Sequence, residues 1–262
     1  MTQDTLLFAA DAASKGQPVI LISIISTQGS SPASPGQMMA VLADGTSCGT
    51  VGGGASEHNM IERAREAIKN HETTFSFSIN HAEDGMVCGG SMEGVGTLIG
   101  SGLHLVIFGG GHISQHLAPL ASQTGFSVSV IEDRADLAPL FAPDIQFITA
   151  DASQFEEKVA LYPGSYIVIC TRGHNLDDEA LRFSISKPFS YLGMIGSKSK
   201  VSTLFARMRQ TGISEESLAK VYTPIGLNVA SEIPAEIAVS ILAEMLLIKN
   251  NGTPSHKKQS IV

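Results

Sequence analysis

From residue 103 onward the chain alternates short continuous apolar runs with stretches of helical spacing, and this alternation restricts the fold more than any other feature. The runs are LHLVIF (103–108), FSVSVIEDR (126–134), IQFITAD (145–151), SYIVICTR (165–172) and FSYLGMIGS (189–197). Runs of this kind, separated by helices, predict strands buried on both faces. Right-handed crossovers then place the strands in a parallel sheet with helices on either side. A last helix is expected to open at Pro234, to run through EIAVSILAEMLLIK and to stop at Asn250, Asn251 and Gly252.

The first hundred residues have another rhythm. Residues 4–15 read as a helix capped by Asp4, with Leu6, Leu7, Ala10 and Ala13 on its inner face and Lys15-Gly16 as its stop. PVILISIIST (18–27) is a β-branched strand, and Asp44-Gly45 marks a hairpin. After GTVGGGASE (49–57) a helix carries Met60, Ile61, Ala64, Ala67 and Ile68 on one stripe, leaving Glu62, Arg63 and Lys69 outside. TTFSFSIN (73–80) and MEGVGTLI (92–99) read as two further strands. The expected fold class is α/β: a small α/β domain at 1–100, a Rossmann-like doubly wound parallel-sheet domain at 103–250, and a flexible tail at 251–262.

Composition narrows the function classes. The net charge of −8 and the absence of a basic stripe argue against a nucleic-acid or anionic-membrane surface. Cys48, Cys88 and Cys170 are odd in number and widely spaced, which suggests neither a disulfide framework nor a zinc site. The N-terminal residues do not read as a signal peptide, and no apolar run has the length of a membrane span. These features lead to the expectation of a cytoplasmic protein.

Two glycine triplets stand out. Gly109, Gly110 and Gly111 follow an apolar strand and open a helix beginning at His112, and the acidic pair Glu132-Asp133 lies about twenty residues on. In a dinucleotide site a pyrophosphate rests on such a turn, and a carboxylate, here Asp133, takes the ribose hydroxyls. Ser114 stands in the third glycine position, and Arg134 would favour a 2′-phosphate. The bland alternative is a tight strand-to-helix turn. His174, Asp177 and Asp178 follow the fourth strand of this half and are placed toward the same cleft; a local cap and turn is the alternative to metal binding. His112 and His116 are four apart but lack a third ligand.

The other triplet, Gly52, Gly53 and Gly54, has no strand–helix–acid context. Around it lie Gly29, Ser30 and Ser31 in TQGSSP, then Gly36, Glu57, Glu93, and Cys88, Gly89 and Gly90 in DGMVCGG. Loops of small residues in such number predict an open pocket lined by backbone. Glu57 also reads as a first-turn acid favouring the helix dipole, and Cys88 as a small buried hydrophobe. Cys170 reads as core.

Taken in order, TQGSSPASPG, GTVGGGASE, DGMVCGG, FGGGHI, IEDR, TRGHNLDDEAL, YLGMIGSKSK, PIGLNV and IPAEIAVSILAE resemble the XdhC/CoxI family over nearly the whole chain. The resemblance implies an accessory factor that binds molybdenum cofactor (molybdopterin), supports its sulfuration and delivers it to a molybdenum hydroxylase such as xanthine dehydrogenase. It further implies a cysteine desulfurase as a partner, a homodimer, and a metal or sulfur contact at Cys88, with Glu57 or Glu93 on the pterin edge. Family members usually carry a basic residue after Ser-Ser-Pro, where this chain has Ala33. Two alternatives are an NAD(P)-dependent oxidoreductase, with His174 or Tyr191 as proton donor, and a nucleotide-sensing interaction module.

Overall fold

The computed structural model describes residues 2–70, 72–80, 90–99, 103–162, 164–229 and 232–256, the side chains of His174 and Asn175 excepted. The chain divides into two compact units, Met1–Leu103 and His104–Val262.

The first unit is an antiparallel sheet with a helix on each face. Its strands are β1 (Val19–Gln28), β2 (Met38–Leu42), β3 (Ser47–Gly49), β4 (Thr74–Asn80) and β5 (Ser91–Ile99), in the order β3-β2-β1-β5-β4. Asp44 makes the β2–β3 turn as expected, its Oδ1 accepting the Thr46 N–H at 2.8 Å. Alternate residues of β1 serve opposite faces. Ile20, Ile22 and Ile24 meet α2 (Gly54–Lys69) through Met60, Ala64, Ala67 and Ile68. Val19, with Ala40 and Leu42 of β2, meets α1 (Thr2–Ser14) through Ala9 and Ala12.

The inner face of α1 differs from the one expected. Thr5, Ala9 and Ala12 are buried, whereas Leu6 and Leu7 are exposed. A helix lying close on a sheet favours the stripe of small residues, and here close approach outweighs the size of the leucines. Asp4 lies inside the first turn and is not the cap. Two glycines inside β5 have a packing reason. Gly96 pairs with Phe75 and Gly94 with Phe77, and a Cβ at either position would collide with the facing ring.

The second unit is the expected doubly wound sheet. Strands β6 (His104–Phe108), β7 (Ser127–Glu132), β8 (Gln146–Thr149), β9 (Tyr166–Ile169) and β10 (Tyr191–Met194) are all parallel, in the order β10-β9-β6-β7-β8. The order reverses between β6 and β9, which places the topological switch point there. One face carries α5 (His174–Ile185) and α6 (Lys198–Gln210), whose Leu181, Phe183, Leu204 and Met208 join Phe108, Ile167 and Met194 in a core. The other carries α3 (His112–Gln123) packed on the last helix, α8 (Pro234–Lys249).

The alternation predicts a helix between each pair of strands, but β7 and β8 are joined by a 3-10 helix (Ala135–Leu140), with Pro139 inside it. Between β8 and β9 lie only a 3-10 turn (Ala152–Gln154) and the four-residue α4 (Phe155–Lys158). Before α8, and beyond the short α7 (Glu215–Leu218), the chain returns to the sheet. Tyr222 gives its N–H to Leu192 O and accepts from Met194 N on the free side of β10.

Candidate functional site

In the first unit the strand directions gather the glycine loops. β1 and β3 both end at the edge where β2 and β5 begin, so residues 29–37, 50–54 and 90 meet at one end of the sheet. Side chains are excluded where these loops touch. A Cβ on Gly90 would stand 2.5 Å from Ser30 O, and one on Gly52 would stand 3.1 Å from Pro32 Cγ. Ala33 is buried beside this contact, so the position after Ser-Ser-Pro presents a packed methyl group and no charge.

Gly52, Gly53 and Gly54 have φ of 115°, 82° and 61°, three successive residues in the left-handed region that other residues avoid. At Gly53 and Gly54 nothing lies within 4 Å of where a side chain would start. The loop is held from within. Glu57 Oε1 accepts the Gly53 N–H at 3.1 Å and the Thr50 hydroxyl, and Thr50 Oγ1 in turn accepts the Gly52 N–H at 3.2 Å. Glu57 therefore shapes the loop, a role nearer its first-turn reading than a pterin contact. Thr50 escapes a reading of the sequence, since no spacing marks it. Glu93 lies exposed on β5, where it accepts the Ser26 hydroxyl at 3.0 Å. Cys88 and Gly89 fall outside the described residues.

In the second unit the carboxyl ends of β6, β7 and β9 form the expected cleft. Gly109, at φ 110°, passes so close to β9 that a Cβ would stand 2.5 Å from Cys170 O. Ser114 is fully buried; its hydroxyl is given to Gly109 O, and Cys170 Sγ lies 3.1 Å away. The serine thus fits the third glycine position by bonding the turn it packs against. Burial pushes the Cys170 thiol up to about 12, against the hydrogen bond with Ser114, and leaves it inert at neutral pH.

The carboxylate that reaches the glycine turn is Glu132, not Asp133. Glu132 Oε2 accepts the Gly110 N–H at 2.6 Å, and Arg134 grips both its oxygens. Burial would raise this acid; Arg134 and the Gly110 N–H outweigh it and hold the group down at about 2. Asp133 stands on the rim, paired with Arg172 at 2.9 Å. Strand parity held the missed signal, because Glu132 shares its face with Val128 and Val130.

The remaining candidates are dispersed or already engaged. Asp177 is buried, its Oδ1 accepting from the Thr171 hydroxyl at 2.7 Å and its Oδ2 paired with Lys200. Asp178 pairs with Arg182 at 3.0 Å. The Asp178–Arg182 pair is internal to α5; Asp177, through Lys200 and Thr171, and Asp178, through Arg207 at 3.8 Å, tie the helix to its surroundings. His174 is the first residue of α5, whose cap Gly173 has open space beside it. His112 and His116 are exposed on α3. Among the described residues no three His, Cys, Asp or Glu side chains are grouped to hold a metal ion. Tyr191 is fully buried and donates its hydroxyl to Glu244 Oε2 at 2.5 Å, which removes it as a proton donor to a ligand. A cleft of about 680 Å3 opens beside Phe155, Arg182 and Ile213, and the glycine turn of the second unit does not line it.

A model of the XdhC Rossmann domain matches residues 105–245, and a model of the XdhC and CoxI family matches residues 12–78. The uncharacterized protein YqeB of Escherichia coli (strain K12) is 33% identical over 261 residues, which are 95% of this chain and 48% of YqeB. A probable xanthine dehydrogenase component of Bacillus subtilis (strain 168) is 32% identical over 144 residues, 54% of this chain and 42% of that protein. The chain thus spans about half the length of the curated relatives it matches. A crystal structure described as a xanthine dehydrogenase from Bacillus halodurans superposes with a TM-score of 0.52 at 19% identity, over 95% of this chain and 97% of that one, a likeness of fold. No helix among the described residues is long and apolar enough to cross a membrane. With the Rossmann-domain model matching more than half its length and the second model matching the glycine-loop unit, this chain belongs to the XdhC and CoxI family.

Proposed function

We propose that this protein is an accessory factor in the maturation of a molybdenum hydroxylase such as xanthine dehydrogenase, and that its first unit takes molybdenum cofactor as cargo. The observation that carries the reading is the meeting of three glycine-rich segments at one end of the first sheet, with open left-handed backbone at Gly53 and Gly54. Such a surface fits a flat, anionic molecule. Bare peptide planes accept a ring, and the start of the 16-residue α2 favours a phosphate at the amides beyond Gly53, whose own N–H is given to Glu57. Ser30 and Ser31 border the same loops. Glu57 and Thr50 keep the loop in shape before the cargo arrives.

When bound, the cofactor brings the molybdenum centre on which the client enzyme depends. The work of this chain is to bind the pterin, orient it and shield it. In the same reading a cysteine desulfurase supplies sulfur, Cys88 is the thiol that meets molybdenum or that sulfur, and the protein acts as a homodimer. Soft thiolate ligands suit such a contact.

The test is to express the protein in a molybdate-fed host and to assay the purified chain for oxidatively released fluorescent pterin and for molybdenum. Both are expected in near-equimolar amount. If both are absent after loading, while NAD(P) binds tightly, the oxidoreductase reading replaces this one.

A further inference from the structure

We infer that Glu132 closes the second unit's glycine turn to nucleotides, because its carboxylate is saturated by donors of its own chain. An ionised carboxylate offers about four acceptor positions. Oε2 takes the Gly110 N–H at 2.6 Å and Arg134 Nη2 at 3.1 Å; Oε1 takes Arg134 Nε at 2.9 Å and the Arg134 N–H at 3.3 Å. Nothing remains for a ribose diol. In a dinucleotide site the acid at this strand end is free to accept both ribose hydroxyls, and the glycine turn gives its N–H groups to the pyrophosphate. Here one of those N–H groups is given to Glu132. The group is ionised throughout the neutral range, so a negative charge already stands beside the place a phosphate would occupy.

Two further observations agree. The glycine at 110 is explained without a ligand, since a Cβ there would stand 3.2 Å from Glu132 Cγ and 3.3 Å from its Oε2. The residue that elsewhere lets a pyrophosphate approach here lets the protein's own carboxylate approach. The other acid, Asp133, is bound to Arg172, and this ion pair joins the loop after β7 to the loop after β9 across the end of β6. The pocket that Gly109, Glu132, Asp133, Thr171 and Arg172 line retains about 20 Å3. That is room for about one water, whereas ligand pockets typically hold hundreds of Å3. Glu132 and Arg134 act instead as a fixed clasp between the turns after β6 and β7. This inference is independent of the cargo reading, which concerns the first unit.

Calorimetric titration of the full chain with NAD+, NADP+ and AMP tests the closure, and the expected result is no saturable binding tighter than about 0.1 mM. Hydrogen exchange tests the clasp. In the nucleotide-free protein the Gly110 amide is expected to be protected, and in Glu132→Ala to exchange at least about tenfold faster, while amides in the middle of α3 keep the parent rate. Glu132→Gln, which keeps an acceptor but loses the ion pair, serves if the alanine variant does not fold, with a smaller acceleration expected. Tighter nucleotide binding by the parent, or an unchanged Gly110 exchange rate in a folded variant, overturns the inference.

Discussion

Lowering the pH from 7.5 to 4.5 is expected to weaken the second unit through one residue, His104. Its ring is buried at the start of β6, 5.6 Å from the Tyr162 ring. Ser129 gives its proton to Gln146 Oε1 at 2.9 Å, so the His104 Nε2–H must be the donor to Ser129 Oγ, also at 2.9 Å. Among the described residues Nδ1 has no partner, and it is buried. A second proton there would make a buried cation, and burial accordingly lowers the group from 6.5 to about 4. The unfolded chain therefore binds the proton more readily than the folded one between these values, and stability falls as pH falls through that window. The full depression is worth roughly 3 kcal/mol, of which about 1.5 kcal/mol is lost by pH 5.5 and about 2.5 kcal/mol by pH 4.5. Glu132 does not confuse the measurement, because its depression acts below its ordinary value of 4.5. Urea unfolding followed by tyrosine fluorescence reads this unit alone: the four tyrosines lie at 162, 166, 191 and 222, and the chain has no tryptophan. His104→Gln, which keeps an N–H for Ser129 and does not titrate, should flatten the pH dependence between 7.5 and 5. A parent whose stability is level across that range, or a glutamine variant with the parent's slope, would refute the argument.

Gly54→Ala places a methyl group in open space at positive φ and should cost about 1 kcal/mol, whereas Gly49→Ala drives one into Met38 O and the Thr5 hydroxyl and should leave the first unit largely unfolded. Both positions have positive φ, so circular-dichroism melts isolate the steric difference, and equal losses would contradict the close approach at Gly49. Tyr191→Phe strips Glu244 of a short hydrogen bond and should cost about 1–3 kcal/mol in chemical unfolding, with pterin retention per folded molecule unchanged. Cys88→Ser should lower pterin retention and client activation with an unchanged melting temperature. Cys170→Ser should instead lose roughly 1–2 kcal/mol and retain the pterin; the same two assays on both variants decide between packing and function.

The parallel sheet was legible because β6, β9 and β10 are buried on both faces, which leaves few polar positions and a continuous apolar pattern. The turn at Asp44-Gly45 and the start of α8 at Pro234 were legible because each rests on a single backbone requirement. The face of α1 was not, because Leu6 and Leu7 outweigh Ala9 and Ala12 in any count of hydrophobicity, although the small residues are the ones that let the helix approach. The site shows the same division. Glycines with a steric reason, such as Gly52 and Gly109, could be marked in advance. The choice between Glu132 and Asp133 depends on which side of β7 meets the glycine turn, and the partners of Asp177 and Glu57 come from a loop or another helix whose approach no spacing announces. Thr50 is an ordinary residue until the backbone beside it is known, and Ser114 was marked by its place in the glycine pattern but not by the bond it makes.

The segment that returns to β10 before α8 bears on how this protein behaves when crowded. An open strand edge is an invitation for another chain to add itself, and so a route to aggregation. Beside β10 the invitation has been withdrawn. Tyr222 has turned its own N–H and C=O inward to Leu192 and Met194, Val221 has given its N–H to Leu218 O, and Pro224 has none to give. A strand arriving from outside meets no ladder of donors. Growth of the sheet stops at Tyr222, and copies of this protein that associate on that side must do so through side chains, without extending the sheet.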